Sequence, residues 1–350
     1  MANEAKKQQV KKLGIQYGRK WEIRVYKPGK DETGQRAVDK DMAIDVSDLR
    51  CIFTVKYDVN SFITIGTLAI YNLNVETETS IIKEGMQISI FAGYEQAQYG
   101  EVFTGDIIQI IRNREDGVNY KLEILAANAI KDFDWNFVRS SIAANSDPRQ
   151  QIKAVCEKAD KKMQVGEVSK NLSQQTLPRG KIFFGKPFKY LRDIAIHNNA
   201  FFEKSGGKVN MHGVNDEIPE NMTVKLAPET GLVGTPKYTD NGIIIKTLLD
   251  PRIKPRTLIW IDNSIIQRTL ISIDPQMQTK KDTKGNASAS NEQQNQKNMF
   301  DKDGEYEALS ITHQGDTWGD EWTTEIIGLS RNGRVPIASA IASPEQSLQA

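Results

Sequence analysis

The first third of the chain alternates apolar and polar residues, which is the pattern of β-strands with one buried face. Trp21, Ile23 and Val25 alternate with polar or charged neighbours and begin the series. Five further strands are predicted over residues 51–55, 62–71, 86–91, 102–112 and 120–126. A short helix over 76–83, ended by Gly85, follows the third strand, and the turn Glu115-Asp116-Gly117 joins the last two. This order predicts a small barrel or sandwich over residues 20–130.

Residues 131–220 have a helical pattern instead. Asp147 is a good N-cap for a helix with Pro148 at its first position, and Ile152, Val155, Cys156 and Ala159 fall on one face. A second helix is predicted from Lys186-Pro187, with Phe188, Leu191, Ile194 and Ala195 on one face, ending near 197–199. Strands over 200–203 and 208–212 then form a hairpin around Gly206-Gly207. Together these elements predict a small α/β unit.

Strand patterns return after residue 220. Strands are predicted over 222–226, 242–248, 257–261, 265–273, 305–313 and 322–329. Residues 276–303 are rich in Lys, Asn, Gln, Ser and Gly, so we expect a long flexible hairpin loop there. The tail over 331–350 is also poor in bulky apolar residues. Because two β regions flank the α/β unit, they could be two copies of one fold, although no internal repeat is visible in the sequence.

Composition narrows the class of protein. The 350 residues are 39% hydrophobic and 26% charged, which is ordinary for a folded protein of two or three domains. The 46 basic and 45 acidic residues give a net charge of +1. Proteins that wrap DNA or lie on anionic membranes usually carry a clear basic excess, so the charge favours neither class.

The N-terminal arm over 1–19 and the two cysteines indicate the compartment in which the chain folds. The arm is basic, with Lys6, Lys7, Lys11, Lys12 and Arg19. We expect a flexible terminus; the alternative is an arm that docks on a partner's acidic surface. It contains no apolar h-region, and no apolar run reaches the roughly 20 residues that span a bilayer. Cys51 and Cys156 are too few for a disulfide scaffold or zinc cluster, so we expect buried thiols and folding in a cytoplasm.

No catalytic residue, cofactor site or metal site is predicted. His197, His212 and His313 form no close pair that could share a metal, and no phosphate-binding loop or nucleophile elbow is present. Cys156 and His197 can be paired as a dyad only on paper. Carboxylates near aromatic residues, as in glycoside hydrolases, occur at Asp132 and Asp134 around Phe133 and at Asp316, Asp320 and Glu321 around Trp318. With 45 acidic residues, such clusters arise by chance.

Four stretches in order along the chain carry more information. The first comprises Ala69-Ile-Tyr-Asn-Leu-Asn74, Ile82-Lys-Glu-Gly85, Ile88-Ser-Ile-Phe-Ala-Gly-Tyr94 and Val102-Phe-Thr-Gly-Asp-Ile107. The second is Gly185-Lys-Pro-Phe-Lys-Tyr-Leu-Arg-Asp-Ile194, and the third is Glu229-Thr-Gly-Leu-Val-Gly-Thr-Pro236 with the segment 242–251. The fourth is Ile311-Thr-His-Gln-Gly-Asp-Thr-Trp318. Together they resemble the baseplate hub proteins of phage tails: relatives of the phage T4 hub, late-control D proteins and the hub half of the type VI spike protein.

The resemblance implies a mainly β fold with an α+β insert. Two tube-type β-barrel domains, over 20–130 and 221–330, would flank the α/β middle domain over 131–220. Three chains would then present six barrels as a pseudo-sixfold ring between a sixfold tail tube and a threefold central spike. The implied partners are two further copies of the chain, tube or tube-initiator proteins, the spike, the C-terminus of the tape-measure protein and other baseplate proteins. The implied location is the tail baseplate of the virion.

The resemblance also gives roles to single residues. Lys83, Gly85, Gly93, Tyr94, Phe103 and Gly105 stand where the family's phrases have them. We expect Gly93, Gly105 and Gly242 at bends or bulges where a Cβ would clash, and Phe103, Tyr94 and Trp260 as core or interface anchors. His313 and Asp316 are expected in a turn between two strands, with Asp316 bonding its own backbone. Strand edges at Ile88 and Ile107 are candidates for subunit contact.

Two alternatives stay open at this point. One is a tail-associated cell-wall hydrolase, although the middle region has no obvious glutamate at a helix end. The other is an adaptor in the tail lumen that binds DNA or the tape-measure protein.

Overall fold

The computed structural model describes residues 16–30, 36–59, 63–115, 118–128, 136–172, 175–205, 208–213, 216, 218, 222–239, 242–261 and 304–330. Several predictions fall outside these ranges. They are the arm up to residue 15, Asp132 and Asp134, the strand over 265–273, the loop over 276–303 and the tail over 331–350.

The first β region has seven strands and one helix in the described ranges. The strands are β1 (Arg19–Lys30), β2 (Arg36–Asp45), β3 (Cys51–Asp58), β4 (Ile65–Tyr71), β5 (Gln87–Tyr94), β6 (Tyr99–Glu115) and β7 (Asn119–Ala127). Helix α1 (Val75–Glu84) lies between β4 and β5. All six predicted strands and the helix are therefore confirmed. Strand β2 was not predicted, because its sequence RAVDKDMAID mixes charged and apolar residues without a period of two.

The two ends of helix α1 are set by nearby residues, which explains why the sequence predicted this helix well. The Asn74 side chain caps it by accepting a hydrogen bond from the Thr77 amide at 2.6 Å. Gly85 ends the helix, as predicted, but with an extended backbone (φ −60°) rather than a left-handed one. A Cβ on Gly85 would lie 2.5 Å from the Ile81 carbonyl oxygen, so close backbone approach, and not a positive φ, calls for glycine here.

The middle region combines short strands and two amphipathic helices. Its strands are β8 (Val138–Ile142), β9 (Gln164–Val168), β10 (Lys181–Gly185), β11 (Ala200–Ser205) and β12 (Lys208–Gly213). The helices α2 (Pro148–Glu157) and α3 (Pro187–His197) begin where Asp147-Pro148 and Lys186-Pro187 predicted them. Asp147 and Gln150 form a full capping box, and the apolar faces of both helices are buried as predicted. Strands β8, β9 and β10 were not predicted, because their sequences VRSSI, QVGEV and KIFFG show no clear alternation of apolar and polar residues.

The last region returns to strands. These are β13 (Thr223–Leu226), β14 (Lys237–Thr239), β15 (Gly242–Leu248), β16 (Leu258–Ile261), β17 (Glu305–Asp316) and β18 (Trp322–Ser330). Five of them correspond to predicted strands, and β14 is new. The side chains of β15 and β18 alternate between buried and more exposed positions, which explains why the sequence pattern predicted these strands.

One sheet joins both β regions. Its strands follow the order β14-β15-β18-β17-β3-β4-β7-β6-β5-β1-β2, and β16 joins β17 and β13 beside that path. Neighbouring strands are antiparallel except β13 and β16. Within the described ranges this sheet does not close on itself, so the structure gives a large mixed sheet and does not confirm the two barrels.

Three clusters of buried apolar side chains form the interior. The first is built around strands β1 and β3–β7 and includes Phe53, Ile90 and Phe103. The second lies between the helices and strands of the middle region, and the third among β13 and β15–β18. The first cluster also takes in Leu249 and Trp322 from the last region, and Tyr57 of β3 packs on the third. The interiors of the two β regions are therefore in contact.

The pairing of strands β3–β7 recurs in strands β14–β18. In the first set β3 pairs with β4, β4 with β7, β7 with β6 and β6 with β5, all antiparallel. In the second set β14 pairs with β15, β15 with β18, β18 with β17 and β17 with β16, again all antiparallel. We call these sets the first and second five-strand units. They differ beyond this core, because β1 is antiparallel to β5 whereas β13 is parallel to β16.

Candidate assembly interface

The two five-strand units are joined edge to edge within the chain. The first residues of β17 pair with β16, from Glu305 opposite Trp260 to Glu307 opposite Leu258. After a bulge between Ala308 and Ser310, the rest of β17 pairs with β3 instead. We call this contact, between residues 310–316 and 52–58, the internal junction. It shows how one unit of this kind binds the edge of another.

Polar contacts close one end of the internal junction. The Arg50 guanidinium donates to the Asp316 carboxylate at 2.8 Å. The Cys51 amide donates to the Thr317 hydroxyl at 2.9 Å, and the Thr317 amide donates to the Cys51 carbonyl at 3.0 Å. Burial alone would raise the pKa of Asp316, but hydrogen bonds from Arg50 and from the Trp318 and Gly319 amides outweigh it and lower the pKa.

The prediction of a turn over His313 and Asp316 was half right. Asp316 ends β17 and accepts a hydrogen bond from the Trp318 amide at 3.0 Å, as predicted for a residue that bonds its own backbone. His313 lies inside β17 and not in the turn, paired with Val55 on one side and Thr324 on the other. The strand runs three residues further than the sequence indicated, because pairing with β3 extends it.

Aromatic side chains fill the space beneath the internal junction. Trp322 of β18 is buried and meets Phe53 of β3 edge-on, with ring centroids 5.6 Å apart. Trp21 of β1 meets the same indole edge-on at 5.9 Å. Gly315 lies against this pair, and a Cβ there would be 2.4 Å from the Phe53 ring and 2.9 Å from the Trp322 ring. Glycine at 315 therefore lets the two units pack closely.

A buried histidine lies in the middle of the internal junction. His313 has a ring nitrogen 2.8 Å from the Thr324 hydroxyl and meets the Tyr57 ring edge-on at 5.9 Å. Its burial lowers the pKa from 6.5 to about 4. His313 is therefore neutral at neutral pH, and it serves in packing and hydrogen bonding.

The equivalent edge of the first unit is exposed. Strand β6 pairs with β5 through residues 99–106, and from Asp106 to Glu115 it pairs with β7. Within the described ranges no strand pairs with the other side of β6 beyond Gln109. Ile108 and Ile111 are 50% and 41% exposed, which is a large fraction for isoleucine in a sheet. This edge is a candidate for strand addition by a partner.

The structure corrects the two edge positions expected from sequence. Ile88 lies in a central strand, between Val25 of β1 and Gly105 of β6. The Ile107 amide donates to the Met86 carbonyl at 2.9 Å, and Ile107 pairs with Ala126 of β7. Neither residue lies at a free edge. The exposed edge begins two residues further along β6, at Gln109.

The predicted glycines occupy crowded places. A Cβ on Gly93 would lie 2.0 Å from the Gln98 carbonyl oxygen, and one on Gly105 would lie 2.5 Å from the Phe103 ring. Gly242 has φ +126°, and its Cβ would lie 2.3 Å from the Gly328 carbonyl oxygen. The predicted clash is confirmed at all three, although the register shifts of β5 and β6 fall elsewhere, after Ile90 and Ile107.

The predicted aromatic anchors divide into two kinds. Tyr94 and Phe103 are buried in the first apolar cluster. Trp260 of β16 is 39% exposed, and the Lys225 ammonium lies 5.7 Å from the centre of its ring. Trp260 is thus outside the core, and a role as an interface anchor remains a prediction.

The histidine and cysteines considered for a Cys–His dyad lie in different environments. His197 is exposed on α3, with a ring nitrogen 2.6 Å from the Asp193 carbonyl oxygen. Cys51 and Cys156 are buried thiols, as predicted, and burial raises the pKa of each to about 12. Across the described part of the chain, no three His, Cys, Asp or Glu side chains are grouped closely enough to hold a metal ion. In the same residues, no helix is long and apolar enough to cross a membrane.

A solved structure of a phage tail protein has a similar architecture. The 43 kDa tail protein of prophage MuSo2 from Shewanella oneidensis matches over 89% of this chain and 99% of its own, with a TM-score of 0.50 and 10% identity. The chain has the fold of a phage tail protein. The resemblance seen in the sequence is therefore confirmed at the level of the fold.

Two other solved structures are similar over comparable lengths. A tail protein from Neisseria meningitidis MC58 matches over 90% of this chain and 97% of its own, with 9% identity and a TM-score of 0.48. An E. coli component of the type VI secretion system matches over 82% and 76%, with 9% identity and a TM-score of 0.49. No protein-family model and no curated protein sequence matches the chain.

Proposed function

We propose that this protein is the structural baseplate hub of a phage tail or of a phage-tail-like particle. In this role three copies form a pseudo-sixfold ring that joins the sixfold tail tube to the threefold central spike. The observation that carries the proposal is the pair of five-strand units in one chain, joined at the internal junction. Three such chains supply six equivalent units, which is the number needed to match a sixfold tube.

The fold shared with the MuSo2 tail protein supports a place in the tail. The four hub-like sequence phrases support the hub in particular, and the fourth of them contributes to the internal junction. The phrase over 311–318 supplies most of the β17 side, including His313 and Asp316. The partners proposed on this basis are tube or tube-initiator proteins, the spike, the C-terminus of the tape-measure protein and other baseplate proteins.

A scaffolding role also fits the chemistry of the described residues. The buried polar groups of the internal junction pair with one another, as Arg50 does with Asp316, and as His313 does with Thr324. Such groups stabilise a contact and leave no activated nucleophile or base. We therefore propose that the protein acts through its shape and binds proteins, and that it is not an enzyme.

Native mass spectrometry of the full chain tests the proposal. The hub role predicts a species of three times the 39.3 kDa chain mass at micromolar concentration. A stable dimer, tetramer or hexamer of chains, or a chain that stays monomeric up to the highest soluble concentration, contradicts it. As a control, Arg50→Ala weakens only the internal junction and is expected to change stability more than stoichiometry.

A further inference from the structure

Strands β6 and β17 are equivalent residue by residue, although their sequences differ. Each has a register shift against its hairpin partner where one residue is skipped: Ile108 in β6 and Leu309 in β17. After the shift, β6 continues from Gln109 to Glu115 and β17 from Ser310 to Asp316. The two segments have the same length, and each follows a stretch that pairs with an outer strand, β5 or β16.

Strands β3 and β14 are equivalent in the same way. Ala126 of β7 and Gly328 of β18 occupy the same position relative to the two register shifts. Gly66 of β4 lies opposite Ala126, and Ile243 of β15 lies opposite Gly328, so Gly66 and Ile243 occupy matching places. Val55 lies opposite Gly66, and Tyr238 lies opposite Ile243. Tyr238 therefore corresponds to Val55, and its neighbours Lys237 and Thr239 correspond to Thr54 and Lys56.

The internal junction involves one strand of each equivalent pair, because within the chain β17 pairs with β3. Their counterparts, β6 beyond Gln109 and β14, each have one paired side in the described residues, to β7 and to β15. They do not pair with each other in the same chain, where six strands lie between them along the sheet. Two complementary edges at separate places on one molecule give a head-to-tail contact between copies.

We propose that the exposed edge of β6 in one copy pairs antiparallel with β14 of a second copy and reproduces the register of the internal junction. In that junction Thr312 lies opposite Lys56, His313 opposite Val55 and Gln314 opposite Thr54. The equivalent contact places Ile111 opposite Thr239, Arg112 opposite Tyr238 and Asn113 opposite Lys237. This inference rests on the proposed function and gives it a defined contact, with a second copy of the chain as the partner.

The exposure of β6 and the main-chain groups that both edges leave unpaired in the described residues favour a second copy of the chain as the partner. Ile108 and Ile111 would leave water when a strand is added along β6, and pairing would satisfy the main-chain groups of both edges. Pro236 precedes β14 and has no amide hydrogen, so it limits the ladder to a short segment. Because the chain carries both complementary edges once, each copy offers one site and fills one, and the contact propagates until a ring closes.

Disulfide crosslinking of paired cysteine variants tests the register. In the full chain, Asn113→Cys with Lys237→Cys and Ile111→Cys with Thr239→Cys are the in-register pairs. The matched controls exchange partners: Asn113→Cys with Thr239→Cys, and Ile111→Cys with Lys237→Cys. Directly opposite residues have Cβ atoms about 5 Å apart, whereas diagonal ones are about 7–8 Å apart, beyond easy disulfide reach. Cys51 and Cys156 remain in place because both are buried.

Mild oxidation at micromolar concentration, followed by a non-reducing gel, gives the result. Both in-register pairs are expected to form disulfide-linked dimers and trimers several-fold faster than both controls. Equal rates, or faster crosslinking of the controls, overturn the proposed register. Native mass spectrometry of the same reduced samples separates this failure from that of the hub: trimers without in-register crosslinks refute only the contact, and monomers refute the proposed function as well.

Discussion

Arg50 and Asp316 are 266 positions apart in sequence, and their side chains meet at 2.8 Å where the first five-strand unit contacts the second. Around this pair, the Cys51 amide donates to the Thr317 hydroxyl and the Thr317 amide donates to the Cys51 carbonyl. The Trp322 and Phe53 rings pack edge to face beside them. The internal junction thus combines polar and apolar contacts. The effect of its residues on stability can be measured, and the same kind of contact is proposed between copies.

Breaking the Arg50–Asp316 pair should lower stability. Because Asp316 is nearly buried and Arg50 partly exposed, Arg50→Ala is expected to cost about 1–2 kcal/mol in the free energy of unfolding. The matched control is Lys153→Ala, which removes an exposed ion pair with Glu157 on α2 and should cost no more than about 0.5 kcal/mol. Urea unfolding followed by tryptophan fluorescence measures both. An equal, small effect of the two changes would mean that the pair does not hold the units together.

Acid should weaken the same contact. The folded-state pKa of Asp316 is lowered from its ordinary 3.8, so its stabilising effect is present above that value and is lost as pH falls through the lowered one. Wild-type protein should therefore lose more unfolding free energy between about pH 5 and about pH 3 than Asp316→Asn does. Parallel losses in the two proteins would show that another carboxylate governs the acid response.

His313 should make stability depend on pH in a higher range. Its pKa is about 4 in the folded protein and near 6.5 when exposed, so the unfolded chain binds more protons between these values. Unfolding free energy should fall as pH drops from about 6.5 to about 4, by up to about 3 kcal/mol from this residue. His313→Gln should flatten that slope, whereas His197→Gln, at an exposed helix position, should leave it. An unchanged slope in His313→Gln would contradict the assignment.

Gly315 should tolerate no side chain. An added methyl would press on the Phe53 and Trp322 rings, which are both held by the core, so Gly315→Ala should cost about 1–3 kcal/mol. Gly100 in β6 is the control, because its nearest neighbour, Pro251, is 3.6 Å from the added Cβ. Gly100→Ala should change the midpoint of thermal unfolding little. Comparable losses from both would indicate a general intolerance of alanine in the sheet, without any special closeness at the internal junction.

The parts of the fold that the sequence predicted are those with local causes. An alternation of apolar and polar residues predicted strands such as β3, whose burial alternates in the structure. Asp147 and Pro148 predicted the start of α2. The short strands β8, β9 and β10 lack such a signal, and β14 has three residues. Their pairing partners are distant in sequence, so tertiary contacts rather than local propensity decide their conformation.

The candidate interface itself was hidden from sequence for a different reason. The two five-strand units share pairing and bulge positions but few residues: Ile110 corresponds to Ile311, whereas Arg112 corresponds to His313 and Arg114 to Gly315. A repeat preserved in backbone register leaves little trace in side chains. The hub-like phrases identified the fold, and the edge that remains exposed on β6 could be found only once β17 and β3 were seen to pair.

The most direct test of the proposed hub is a cryo-electron microscopy reconstruction of the assembled protein. The proposal predicts three chains around the axis, with six five-strand units in a ring, each touching the next through paired strand edges. Six chains around the axis, or five-strand units that do not touch those of the neighbouring copy, would contradict it.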